Sequence, residues 1–400
     1  MEPSGNPPKL KILVVHEINY RKKVIYEVHE FPELLAEAGH EVEFLEFAEG
    51  YTGRPGKNER TSVQSGRVYR NAKLRVHSPW LSGIEIMDRI VGLLTVFQVL
   101  WSLRKSHFDV ILNFAVPTYG LQILIFGWLT KTPVVHRALD VSHKIRKSPW
   151  NPAISLVERL VFNFATSLSA NNPAMADYIR SKLWRSIPVS VNLPPSLSPG
   201  MRPVDFDEPL ALELGITKGD FVIVYLGSFF YFSGLDAVIR GLAQARKTNP
   251  HLRLLLVGGG EQEMELRNLC KELALDKEVV FTGFVAFENI PRYLSLADVA
   301  INPMEVSAVS SFALPNKVIQ YLSLGLPVVS TNLVGLRSAL KLSLPITWVD
   351  SPNQVLEAVL GALQEPNSRP MRVHRVDLEP FEPSASLKSM ESLLSTCIRH

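Results

Sequence analysis

The stretch SSFALPNKVIQYLSLGLPVVSTNLVG, residues 310–335, decides the fold. It reads as loop, helix, tight turn, buried strand and second turn. Pro315 suits a helix entry, where a missing N–H costs nothing. Asn316, Lys317 and Gln320 then share one turn on neighbouring faces, while Tyr321, Leu322 and Leu324 are left to pack inward. Gly325 fits the helix C-terminus, and residues 327–330 read as a strand. The unpaired N–H groups of a helix start favour an anion. The Ser310 and Ser311 hydroxyls before it and the Lys317 ammonium within it add to that preference. An ordinary surface helix running into a buried strand would carry the same local pattern.

Working outward, the second half repeats this strand–helix alternation. Strands are expected at 221–227, 252–257, 279–282 and 299–302, with helices at 235–247, 261–273 and 290–296. Gly258-Gly259-Gly260 closes one strand; it is not a dinucleotide fingerprint, because the third glycine would fall on Glu263, but it lets backbone approach a ligand. The first half opens with a strand at 10–15, a helix at 24–38 ended by Gly39, and a strand at 41–47. Residues 50–70 read as a loop. Further strands are expected at 108–115, 133–137 and 167–171, with helices at 156–165 and from 173. Five prolines in 186–205 break the periodicity and mark a boundary. The expected organisation is an N-terminal domain at 1–195, a C-terminal domain at 196–375 and a closing helix within 376–400.

Composition agrees with two α/β domains: 400 residues, 46% hydrophobic and 20% charged. Cys270 and Cys397 make neither a zinc spacing nor a disulfide framework. The start MEPSGNPPKLKILVV lacks the order of a signal peptide, so a cytoplasmic protein is expected. Residues 50–200 hold 19 Lys/Arg against 7 Asp/Glu, which invites an anionic partner. The basic surplus lacks interleaved aromatics and any nucleic-acid module, so nucleic acid is not expected. The apolar runs at 90–103 and 119–129 are too short to span a bilayer. They read as helices buried against the sheet, or as a pair set in the interface of an anionic membrane, which would make the protein peripheral on the inner face of the cytoplasmic membrane.

The segment PNKVIQYLSLGLPVVST resembles the donor-binding segment of GT-B glycosyltransferases of the GT4-like, group 1 type. YLGSFFYFSGLDAVI, LLLVGGGEQEMEL, VVFTGFV and YLSLADVAINP are similar to further landmarks of that family, in its order. The resemblance implies two doubly wound Rossmann-like domains facing a cleft, and a metal-independent transfer of a hexose from a nucleoside diphosphate sugar, UDP-sugar first. The acceptor would be a lipid-linked or glycan molecule. It places the donor on Ser228, Ser233, Gly234, Gly258, Gly259, Phe284, Val285, Ser310, Ser311, Asn316, Lys317 and Gln320. No metal and no further cofactor is implied, and Asp205-Phe206-Asp207, in the Pro-rich linker, is read as accidental.

The chain departs from the pattern in two places. Ser228 and Ser233 stand where many members carry Arg and Lys, and Phe312 and Gln320 stand where they carry paired glutamates. Lys with Gln three residues on, and the segment Arg137-Ala138-Leu139-Asp140, are similar to the inverting bacterial β-glucuronosyltransferase of xanthan synthesis. That likeness implies Asp140 as the base for the acceptor hydroxyl, with His136 beside it. Asn19, Tyr20 and Arg137 are expected on the acceptor side, with the basic run Arg21–Lys23. A binding protein with a degenerate donor site and a nucleotide-sugar epimerase remain as alternatives.

Overall fold

The computed structural model describes residues 8–21, 25–47, 61–80, 85–144, 149–308, 310–340, 343–363 and 377–399. The chain divides into two compact units, Met1–Ser196 with Pro380–His400, and Leu197–Glu379.

Among the described residues the first unit holds an eight-stranded sheet. Its strands are β1 (Lys11–Val15), β2 (Glu41–Leu45), β3 (Thr61–Ser65), β4 (Lys73–His77), β5 (Val110–Asn113), β6 (Val134–Ala138), β7 (Ser167–Ala170) and β8 (Val189–Val191). The spatial order is β3-β4-β2-β1-β5-β6-β7-β8, parallel except for β3 against β4. The central strands are runs of buried Val, Ile and Leu because helices cover both faces. The β3–β4 hairpin departs from the expected loop at 50–70; residues 50–60 of that loop lie outside the described residues. TSVQS has no buried face, so no apolar alternation announces it, and its pairing with β4 alone makes it a strand.

The second unit is a six-stranded parallel sheet of β9 (Phe221–Leu226), β10 (Leu252–Val257), β11 (Val279–Gly283), β12 (Val299–Asn302), β13 (Val328–Thr331) and β14 (Ile346–Val349). The order β11-β10-β9-β12-β13-β14 winds outward in both directions from the β9/β12 pair. In the helix Leu235–Ala245, Leu235, Val238, Ile239 and Leu242 recur at helical spacing and are all buried in the sheet's core. The last helix, Pro383–Ile398, belongs to the first unit. There Asn192 Nδ2 donates to Ser389 Oγ at 2.8 Å, and His40 Nε2 lies 2.9 Å from Glu391 Oε1.

Both sheets place a topological switch point at their centre, between β1 and β5 and between β9 and β12. Open parallel sheets bind ligands at the carboxyl ends of the strands there. Among the described residues no helix is long and apolar enough to cross a membrane.

Candidate functional site

In the second unit the residues expected at a donor converge on the β9/β12 switch point. β9 is followed by Gly227, whose φ of +127° suits glycine alone, and a Cβ there would stand 3.1 Å from Lys317 Nζ. Lys317 Nζ lies 3.8 Å from the centroid of the Tyr225 ring. Desolvation there lowers the amine to about 7. Lys317 is the second residue of the helix Asn316–Ser323, whose N-cap, Pro315, makes no side-chain capping bond. The helix is pinned to β9 by Tyr321, whose hydroxyl accepts from Leu226 N–H at 2.6 Å. Gln320 is buried on the same helix. The arrangement is a backbone opening, a helix N-terminus and one amine that gains charge when an anion arrives.

The flanking loops close around this point. Gly258 has φ +138°, and a Cβ on it would come within 2.0 Å of Gly227 O. Gly259 O accepts from Phe229 N–H at 2.9 Å. Gly234 has φ +67° at the start of the helix Leu235–Ala245, packed so that a Cβ would meet Pro303 O at 2.0 Å. Phe284 is exposed beyond β11, beside Gly259, and Val285 is half-buried next to it. Between Gly227 and Gly234 the loop is aromatic rather than cationic: Phe230 and Phe232 stack with centroids 5.3 Å apart. Ser228 is half-buried and its carbonyl accepts from Tyr225 Oη at 3.0 Å. Ser233 is buried, with its Oγ unpartnered among the described residues.

Ser310 and Ser311 take a different part from the one expected. Ser310 Oγ donates to Glu305 O and Ser311 Oγ donates to Ser307 O, so both hydroxyl protons close the 305–311 turn. Small hydroxylated residues before a helix serve turns as readily as ligands, and here the turn has taken them. Asp207, of the linker segment read as accidental, accepts from Leu210 N–H at 3.0 Å as a helix cap and pairs with Arg292 at 2.6 Å.

In the first unit Asp140 stands just past β6, at the carboxyl edge of the sheet. Asp140 is exposed to solvent, and desolvation by the protein around it raises its carboxyl to about 6. Burial, and then the charges of Asp140 and Glu27, push the Tyr26 phenol up. A carboxylate near 6 is poised to accept a proton close to neutral pH.

The strand's alternation takes its neighbours elsewhere. His136 points into one core, its ring 5.6 Å from that of Phe162 and its Nδ1 3.2 Å from Asn113 Nδ2. Burial lowers it to about 3, so it is neutral and enclosed. Arg137 points into the opposite core, fully buried. Its guanidinium donates to Glu27, to Ser169 Oγ at 2.6 Å and to Asn192 O at 2.8 Å, and lies 4.6 Å over the Phe31 ring. Both were expected at the site; both are core residues, because consecutive side chains of a central strand face the two packed layers. Tyr20 is likewise internal, its hydroxyl donating to Glu33 at 2.6 Å. Asn19 is buried, its Oδ1 accepting from Arg21 N–H at 3.1 Å. Of the basic run, Lys22 and Lys23 lie outside the described residues.

Three residues carry weight that the sequence did not announce. Glu27 is the buried partner of Arg137, and Tyr225 is the floor under Lys317. Glu17, just past β1, accepts from the N–H groups of Thr118 at 2.5 Å and Tyr119 at 2.9 Å. A glutamate following the first strand, where phosphate-binding chains need a small residue, was the available signal.

Two family models match in tandem, a glycosyl transferase 4-like domain over residues 26–194 and glycosyl transferases group 1 over 220–365. The chain belongs to the group 1, GT4-like glycosyltransferases. An uncharacterized glycosyltransferase of Methanocaldococcus jannaschii is 24% identical over 193 residues, 46% of this chain and 48% of its own. The alpha-monoglucosyldiacylglycerol synthase of Streptococcus pneumoniae is 26% identical over 128 residues, 32% of this chain and 29% of its own. The glycosyltransferase family member thus spans about half or less of the length of these curated relatives. Among solved structures, HepE of Anabaena in complex with UDP-glucose is similar with a TM-score of 0.64 at 16% identity, over 98% of this chain and 97% of that one. The shared fold is GT-B, two parallel-sheet Rossmann-like domains.

Proposed function

We propose that this glycosyltransferase family member moves a hexose from a nucleoside diphosphate sugar, UDP-sugar first, to a lipid-linked or glycan acceptor. The observation that carries the reading is Lys317, its amine held over Tyr225 beside Gly227 at a helix start. A diphosphate placed there would meet backbone N–H groups and an ammonium in a partly desolvated setting, where both act strongly. The UDP-glucose held by HepE and the lipid acceptor in the name of the pneumococcal relative support the substrate classes. In the transfer the acceptor oxygen forms a bond to the anomeric carbon as the bond to the diphosphate breaks. The electron pair leaves with the nucleotide, and Asp140 takes the hydroxyl proton. The stereochemical course stays open between two readings: the GT4-like pattern favours retention, Asp140 with Gln320 favours inversion, and the anomeric configuration of the product decides.

Calorimetry of UDP, GDP and ADP tests this. One nucleotide is expected to bind, and Lys317→Ala to weaken it by about 1.5–3 kcal/mol, the range of a hydrogen bond to a charged group. Because the free amine sits at about 7, binding above that pH takes up a proton, and affinity rises as pH falls from 8 toward 6.5. Titration in buffers of different ionisation enthalpy reads the uptake, which Lys317→Ala removes. Binding of none of the three nucleotides would leave a degenerate binding protein, a reading favoured by the serines and aromatics in the 228–233 loop.

A further inference from the structure

We propose that the aromatic loop 230–232 of the second unit is the platform on which the donor's hexose ring lies, a proposal that deepens the nucleotide-sugar reading and rests on it. The loop joins β9 to the helix Leu235–Ala245 and reads Ser228-Phe229-Phe230-Tyr231-Phe232-Ser233, with no charged side chain. Phe229 is its root, buried with its ring 6.0 Å from Tyr225 and 6.2 Å from Phe281. Phe230 and Tyr231 stand out, 40% and 47% exposed. The half-buried Phe232 backs both, stacked on Phe230 and meeting Tyr231 edge-on at 5.0 Å. The backbone beneath the rings is tied on two sides. Gln262 N–H donates to Phe229 O at 3.2 Å after β10, and Glu305 N–H donates to Phe232 O at 2.9 Å after β12. Exposed rings on a backbone fixed in this way suit a ligand, because little ordering is left for binding to impose.

Strand order chooses the ligand. Along the carboxyl edge the strands run β11, β10, β9, β12, about 4.8 Å from one to the next. Phe284 and Val285, where the nucleoside is expected, follow β11; Gly227 and Lys317, where the diphosphate is expected, meet at the end of β9. A nucleotide laid in that direction carries its sugar onward toward β12, where Phe232 is tied to Glu305. A hexopyranose matches what the loop offers. Its ring C–H groups form an apolar face that the negative face of a π-system attracts, and its hydroxyls point outward from the rim. Glu261 and Glu305, exposed in the two adjoining loops, are acceptors for such hydroxyls. The same negative ring face repels a phosphate, so the loop serves the part of the donor beyond the diphosphate.

The test is calorimetry of the full chain with UDP, UDP-glucose and UDP-galactose, on the parent and on Phe230→Ser with Tyr231→Ser. If GDP or ADP is the nucleotide bound, GDP-mannose or ADP-glucose replaces the UDP esters. The free nucleotide carries one negative charge more than its sugar esters, so the readout is the change that the substitutions make, ligand by ligand. At least one sugar nucleotide is expected to lose about threefold to tenfold in affinity, the worth of an aromatic face, while the free nucleotide binds as before. Phe230→Leu with Tyr231→Leu keeps apolar bulk without a π-face; it carries the same expectation and serves should the serine variant misfold. Sugar C–H resonances of the bound donor should shift upfield in the parent and in neither variant. An equal loss for nucleotide and esters would put the rings against the nucleotide, and no loss for any would make them packing; each overturns the proposal. Nucleotide binding without these sugar effects sinks this inference alone, whereas no binding of UDP, GDP or ADP sinks the donor reading and this one with it.

Discussion

The two units wind their sheets in the same way and fill their switch points oppositely. In the second unit a glycine follows β9, and the helix after β12 starts at Pro315, which makes no capping bond, with Lys317 in its first turn. In the first unit β1 is followed by Glu17, whose carboxylate receives the N–H groups of Thr118 and Tyr119 at the start of the helix after β5. The fold offers a helix N-terminus in both places. What stands at the end of the central strand decides whether that terminus faces an incoming anion or the chain's own carboxylate. On the proposed function, the first unit's base stands one strand further out, at Asp140 beyond β6. The interiors differ as well: the first buries Arg137 against Glu27 and Tyr20 against Glu33, whereas in the second the buried Asn302 and Ser330 pair as neutral groups.

The largest effect is expected from breaking that buried pair. Arg137→Met leaves Glu27 charged among apolar groups, which costs about 3–5 kcal/mol. Urea unfolding should show the first unit's transition moved to lower denaturant, while nucleotide affinity, a property of the second unit, is unchanged under folding conditions. Burial already raises the Glu27 carboxyl against the pull of Arg137, and the double variant with Glu27→Leu should recover most of the loss. Equal losses in the single and double variants would mean that packing, not charge pairing, is what Arg137 supplies.

Next comes the site that the first unit does offer. Asp140→Asn is expected to lower turnover roughly 10²–10⁴-fold, the range for a removed general base, with nucleotide binding intact. With its carboxyl at about 6, the parent's rate should rise with pH through 6 and level above it. The stability sign is opposite. The folded state holds between pH 3.8 and about 6 a proton that the unfolded chain has released, so this group's contribution falls as pH rises through that window. Asp140→Asn should flatten that slope. Full turnover by the variant would remove Asp140 from the chemistry.

Much of this was legible in the residues, for reasons that can be named. The αβ alternation of the second half follows from buried Val/Ile/Leu runs, and Gly227, Gly258 and Gly325 stand at turns where positive φ excludes other side chains. Lys317 was readable because helix starts and cations act locally. Side chains whose role depends on distant partners were not. His136 and Arg137 flank the same peptide of a strand that is covered on both faces, and only the packed structure shows that each enters a core. Ser310 and Ser311 could serve a ligand or a turn by local chemistry, and the 305–311 geometry chose the turn. Glu27 and Arg137 are 110 residues apart, a separation across which no local pattern can pair them.

The smallest effect returns to the comparison at its source. A carboxylate on exposed N–H groups at a helix start contributes about 0.3–1 kcal/mol, and up to ~2 where partly buried. Glu17 is half-buried and reaches two such groups, so Glu17→Gln, which keeps an acceptor but loses the charge, should lower stability by about 1 kcal/mol. The urea midpoint should fall with an unchanged m-value, and the gap to the parent should narrow as salt screens the charge. The variant then poses the sharper question. If the carboxylate alone keeps anions from this terminus, Glu17→Gln in a Lys317→Ala background should bind pyrophosphate that Lys317→Ala does not. If stability falls and no anion binds, the difference between the units lies deeper than one side chain: the first lacks a terminal glycine through which a phosphate could reach the backbone. Either result separates the charge from the opening as the feature that makes a switch point a site.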